Sequence, residues 1–134
     1  MRKFAIVVLG LMTLVLSGAF VVHSNPLCGE EAITEKTSPD GHYVAALMSR
    51  NCGATTHDVA HINVREASSR FRPGFFDGTI HEGEIWASSR YSGERFCWSG
   101  PRRIEIGYPA DGASTVNTWR DVTVGDNYRN PGCQ

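Results

Sequence analysis

The sequence predicts an all-β domain: a small antiparallel sandwich or meander of about six strands, behind an N-terminal signal or anchor helix and stapled by two disulfides. Three observations predict it. After residue 24 the helical period is almost absent and turn residues recur at short intervals, as in "SPDG" at 38–41, "RPG" at 72–74, "YSG" at 91–93 and "PADG" at 109–112. Between the turns lie short runs with a two-residue apolar period, the mark of a half-buried strand. All four cysteines, Cys28, Cys52, Cys97 and Cys133, follow a leader with a cationic start and a long charge-free run.

The leader comes first in the chain. Arg2 and Lys3 are followed by nineteen residues, Phe4 to Val22, without a charge. A positive end, an apolar run and then small residues make a secretory signal. The run is longer than the ~7–15 residues usual for a signal and approaches the ~20 that a membrane-spanning helix needs. Cleavage near Ser24 and retention as an anchor through residues 4–22 both stay open. Either way the positive end stays inside and residues 25–134 form one exported domain, periplasmic or membrane-anchored. Those 110 residues suffice for one core. Without Arg2 and Lys3 they carry 11 basic against 14 acidic groups, a balance that disfavours a nucleic-acid partner.

The strands follow in order. "YVAALMSR" at 43–50 is apolar on both faces and reads as central or covered. "HDVAHINV" at 57–64 turns Ala60, Ile62 and Val64 inward, and His57 and His61 outward onto a wet face. "EGEIWASSR" at 82–90 fits a strand better than one short helix. "RFCW" at 95–98 is a further strand. "RRIEIGYP" places Ile104, Ile106 and Tyr108 on one side, and "WRDVTV" places Val122 and Val124 together. Trp98 and Trp119 are expected in the core. Arg65, Arg70 and Arg72 are read as a solvated loop cluster.

"SPDGHY" at 38–43 is the sharpest turn signal: Pro39 presets φ, Asp40 tolerates the tight position and Gly41 supplies positive φ. Cys28 stands eleven positions before Pro39 and Cys52 eleven after Gly41. A hairpin centred on Asp40 therefore levels the two sulfurs, and the expected bridges are Cys28–Cys52 and Cys97–Cys133. "RNCGATTH" at 50–57 is then a stapled turn, with Gly53 giving the chain freedom to leave the strand.

"CGEE" at 28–31, "SPDGHY" and "RNCGATTH", in that order and spacing, resemble a family of small uncharacterised bacterial envelope proteins with a Cys-Gly, a Ser-Pro-Asp-Gly-x-Tyr turn and an Asp-Cys-Gly-Ala-Thr-Thr signature. "FCWSGPRRIEIGYP" extends the match loosely. The chain departs from the family at Asn51, where Asp is usual, and in carrying Cys97 and Cys133. The resemblance implies no activity, and it supports the Cys28–Cys52 pairing because the signature holds those two cysteines.

The chemistry expected is binding or scaffolding. No cofactor and no metal site is expected, because His57 and His61 lie about 13 Å apart on one strand face, and CxxC, HExxH, GxSxG and phosphate loops are missing from the sequence. The rival is a small hydrolase using Cys52, with His57 as its base, or a carboxylate pair such as Glu30–Glu31 or Glu82–Glu84. A third reading is an anchored accessory subunit of an envelope complex. Phe71, Phe75 and Phe76, around the Pro73–Gly74 turn, are the expected contact for an envelope protein or glycan; apolar tips of this kind mark contact surfaces.

Overall fold

The computed structural model describes residues 2–24, 28–53, 56–75, 77–108 and 112–127. Helix α1 spans Arg2–Ser24. The strands are β1 (Gly29–Thr37), β2 (Tyr43–Asn51), β3 (Val59–Glu66), β4 (Glu84–Ser88), β5 (Arg95–Gly100), β6 (Arg103–Gly107), β7 (Gly112–Ser114), β8 (Thr118–Trp119) and β9 (Val122–Asn127). The domain is all-β, as predicted. The strands exceed the expected six because β1, β7 and β8 carry little apolar alternation of their own.

Two sheets form, in the orders β1-β2-β3-β4-β7 and β5-β6-β9-β8. They enclose one core: Tyr43, Ala45 and Leu47 from β2, Ala60, Ile62 and Val64 from β3, and Trp86 from β4 meet Phe96, Ile104, Ile106, Val122 and Val124 from the second sheet. The inward residues expected on β3, β6 and β9 are the ones found, and β2, read as apolar on both faces, is buried on both. Trp86 is fully buried at the centre, whereas Trp98 and Trp119 pack half-buried at the margin. One pairing departs from the antiparallel plan, since β6 pairs β9 in parallel. The crossover through β7 and β8 makes that direction possible.

The first hairpin forms as the turn chemistry requires. Gly41 sits at φ +74°. Ser38 Oγ donates to Asp40 Oδ1 at 2.6 Å, the Gly41 amide donates to the Ser38 carbonyl, and the Ser38 amide donates to the Tyr43 carbonyl. The register pairs Gly29 with Asn51, so Cys28 and Cys52 occupy the next rung and form a disulfide. A bulge between Ala32 and Thr34 leaves Ile33 unpaired and exposed. Cys97 is also disulfide-bonded; Cys133, its expected partner, lies outside the described residues.

The second face of the first sheet is covered as well. The segment 67–83 leaves β3, crosses that face and returns to β4. Ile80 and half-buried Phe71 pack there on Ala46 and Met48. Gly83, at φ +72°, closes the return: its carbonyl accepts the Val64 amide at 2.8 Å. A Cβ there would stand 1.9 Å from the Val64 carbonyl oxygen. Only glycine allows so close an approach.

Residues Ile6 to Gly18 of α1 are all exposed although the run is apolar on every side. Among the described residues no helix is long and apolar enough to cross a membrane.

Candidate functional site

The covered outer face of the first sheet holds a buried polar cluster. Strand parity builds it. Glu30 of β1 pairs in register with Arg50 of β2, His61 and Asn63 follow on β3, and Glu84 follows on β4. All five side chains point away from the apolar core.

His61 is the main correction to the sequence reading. It was expected on a wet face and is fully buried, as is Asn63. The reason is the 67–83 crossing, whose cover local periodicity does not encode. Arg65 is corrected on the same ground. It is no solvated loop residue: its guanidinium lies 5.0 Å from the Phe71 ring centre, it donates to the Glu66 and Ser69 carbonyls and it pairs with Glu35 at 3.5 Å. Arg70 and Arg72 are exposed as expected.

The cluster clamps the covering segment. Glu30 Oε1 accepts from Arg50 Nε at 2.7 Å and from the Ile80 amide at 2.9 Å. Arg50 Nη2 donates to the Ile80 carbonyl and, at 3.4 Å, to Glu84 Oε2. Asn63 Nδ2 donates to the Ile80 and Glu82 carbonyls at 3.2 and 2.9 Å. With both amide hydrogens so engaged, Asn63 Oδ1 is an acceptor, and His61 Nδ1 donates to it at 2.6 Å. The neutral ring then presents a bare Nε2 to Glu30 Oε1, 3.5 Å away. His61 Nε2 and Glu30 Oε2 are both buried without a hydrogen-bond partner. Burial holds the His61 imidazole below its ordinary pKa, against the opposing effects of the Asn63 hydrogen bond and the Glu30 and Glu84 charges.

Beside the clamp a cleft of about 580 Å³ opens at the disulfide end, lined by Cys28, Gly29, Glu30, Pro73, Gly74, Phe75, Gly78 and Ile80. Its far wall is a tight loop. The Gly74 amide donates to the Thr79 carbonyl, and the Cys28 amide donates to the Asp77 carbonyl. The Thr79 hydroxyl and amide donate to the Asp77 carboxylate. Those bonds, with one from His81, hold Asp77 well below the usual carboxylate range.

Of the three phenylalanines expected at a contact, Phe75 is 56% exposed on the rim of this cleft. Phe71 is half-buried against the outer cluster, and Phe76 lies outside the described residues. Cys52 is oxidised, so the proposed nucleophile has no thiol to ionise. Of the carboxylate pairs, Glu30 is buried on Arg50 while Glu31 is exposed, and Glu84 faces Arg50 while Glu82 is exposed. Among the described residues no group of three or more His, Cys, Asp or Glu is placed to hold a metal.

Sequence reasoning missed the role of Glu30. A signal was present. Once Cys28 and Cys52 are level, Glu30 must oppose Arg50 across the hairpin.

A second polar network pins the first hairpin to the other sheet. Arg102 pairs with Asp40 and, at 2.8 Å, with Asp121, while Tyr43 Oη donates to Asp121 Oδ1. The chain matches no family model, no curated protein and no solved structure.

Proposed function

We propose that this chain is an exported, non-catalytic binding module of a bacterial envelope, which takes an apolar side chain of a partner protein into the cleft beneath Phe75. The observation that carries this reading is the cleft itself. Its volume of about 580 Å³ falls within the ~300–1,000 Å³ of ligand pockets, and Pro73, Phe75 and Ile80 give it apolar walls beside a single carboxylate, Glu30. Oxidised cysteines suit a compartment outside the reducing cytosol. The resemblance to small envelope proteins points to the same place. In this reading α1 is the export signal or anchor and residues 25–134 are the delivered domain.

A photo-cross-linking residue at position 75 tests the reading. In envelope extract it should capture a discrete protein partner, and the same group at exposed Ser99, on the other sheet, should not. Equal labelling at both positions, or labelling of glycan alone, would remove the protein-binding reading. Intact mass of the exported product separates a free module from an anchored accessory subunit, since cleavage near Ser24 removes residues 4–22.

A further inference from the structure

We propose that the side chain the cleft takes is a lysine, with its aliphatic stem along the walls and its ammonium on the unpartnered Glu30 oxygen at the floor. The proposal rests on the binding reading above and sharpens it, from an apolar side chain to an apolar stem with a cationic end.

The floor carries the argument first. Glu30 is the one carboxylate among the described residues that line the cleft, and its side chain is only 5% exposed, so it lies at the base and not on the rim. One oxygen, Oε1, is filled, because it accepts from Arg50 Nε and from the Ile80 amide. The other, Oε2, is buried and accepts from nothing among the described residues. The neighbouring His61 ring supplies no proton. Its one N–H goes to Asn63 Oδ1, and its Nε2 turns a second acceptor towards Glu30. A buried carboxylate oxygen without a donor is costly. A donor brought by a ligand relieves that cost with no water to strip from the oxygen, and a charged donor relieves it best.

Charge then selects a cation. Glu30 and Glu84 both face Arg50, one guanidinium for two carboxylates. Asp77 Oδ1 lies so close against Gly74 in the far wall that no Cβ fits there. Arg70 and Arg72 are exposed on the covering loop and do not line the cleft. Between the two basic side chains, the number of open oxygens decides. A guanidinium binds a carboxylate best as a fork on both oxygens, whereas an ammonium is a point charge on a flexible aliphatic stem. Only one Glu30 oxygen is open, and Pro73, Phe75 and Ile80 give a stem apolar surface to lie on. The lysine comes from a partner, since Lys36, the one lysine after the leader, donates to the Phe96 carbonyl.

The test uses the full chain and three probes: acetyl-Gly-Lys-Gly-amide and its norleucine and arginine counterparts. Binding is followed by NMR at the Gly29 and Gly78 amides, with the Ser99 amide on the other sheet as reference. The lysine peptide should bind about tenfold or more tightly than the norleucine peptide, the worth of one charge-assisted hydrogen bond, and more tightly than the arginine peptide. Glu30→Gln keeps an acceptor for Arg50 and Ile80 and puts a donor in place of the open oxygen, so it should lower lysine to the norleucine level. Glu31→Gln, at the exposed neighbouring carboxylate, should keep the preference. The lysine–norleucine comparison in the unaltered protein decides the matter even if Glu30→Gln does not fold. Equal binding of those two peptides at the cleft amides, a preference lost equally in Glu31→Gln, or tighter binding of the arginine peptide would overturn the lysine and leave the apolar cleft standing. No shift at Gly29 or Gly78 with any of the three would remove the cleft reading itself, and the lysine with it.

Discussion

The two faces of the β1-β2-β3-β4-β7 sheet are both covered, yet they are built from opposite chemistry. The inner face is Ala45, Leu47, Ala60, Ile62, Val64 and Trp86 against another sheet. The outer face mixes Ala46 and Met48 with Glu30, Arg50, His61 and Asn63 under a loop. The cause lies in the cover. A sheet satisfies its own backbone groups through its ladder, so it can lie dry on apolar side chains. A loop has no ladder, and each of its buried amides and carbonyls needs a partner from below. Asn63, Arg50 and Glu30 are those partners for Ile80 and Glu82. Buried polar residues on an outer face therefore locate a loop that crosses it, and here that loop also carries the candidate cleft.

The strongest way to break this comparison is to lift the cover at its return. In Gly83→Ala the new Cβ would meet the Val64 carbonyl at 1.9 Å in a left-handed backbone. The backbone term alone costs roughly 1–2 kcal/mol, and the displacement adds to it, so the expected loss is about 3 kcal/mol or more. Gly41→Ala has a similar φ of +74° and nothing within 4 Å of its Cβ. It should lose only the backbone part, about 1 kcal/mol. Urea midpoints of the two variants measure the difference; equal losses would mean that the 67–83 segment is not clamped at Gly83.

How much of this was legible follows the same division. Ala60, Ile62 and Val64 of the inner face were read residue by residue, because their two-residue period is local; Ala45 and Leu47 were not assigned a side, since "YVAALMSR" is apolar on both, and the core place of Trp86 was not read. Cys28–Cys52 was legible because the turn at Asp40 fixes the register. His61 was misplaced because "HINV" alternates in the same way whether its second face meets water or a loop, and the loop's path is set about twenty residues downstream. The parallel β6–β9 pair was missed because direction depends on a crossover with no apolar pattern of its own. Glu30 was within reach by register and was passed over because it was read with adjacent Glu31 as a carboxylate pair rather than against Arg50 across the hairpin.

A smaller effect sharpens the comparison from within. Asn63→Leu removes two donors from the Ile80 and Glu82 carbonyls and the acceptor of His61 Nδ1. It should cost about 2–3 kcal/mol even though it adds apolar volume. Ile62→Ala, the neighbour facing the other way, should cost about 3–4 kcal/mol through cavity formation. The informative result is the pattern of hydrogen exchange. Asn63→Leu should loosen Ile80 far more than the β6 amides, and Ile62→Ala should loosen both alike. If Asn63→Leu is neutral, the outer face is an ordinary apolar interface and the polar clamp is incidental.

The smallest expected effect separates the two described phenylalanines of the covering loop. Phe71 lies on Ala46, Met48 and Ile80 with the Arg65 guanidinium over its ring, so it belongs to the cover's anchorage. Phe71→Ala should lose about 2 kcal/mol, below the ~3–5 of a fully buried phenylalanine because the ring is only half-buried. Phe75 stands on the cleft rim with 56% of its surface exposed. Phe75→Ala should change stability by no more than about 0.5 kcal/mol, the range of surface substitutions, while cutting capture of the proposed protein partner severalfold. The sign of that split matters more than its size. Stability should follow Phe71 and binding should follow Phe75. A loss at Phe75 as large as that at Phe71 would make Phe75 part of the anchorage and the cleft a gap in its packing, with no wall left for a partner's side chain to meet.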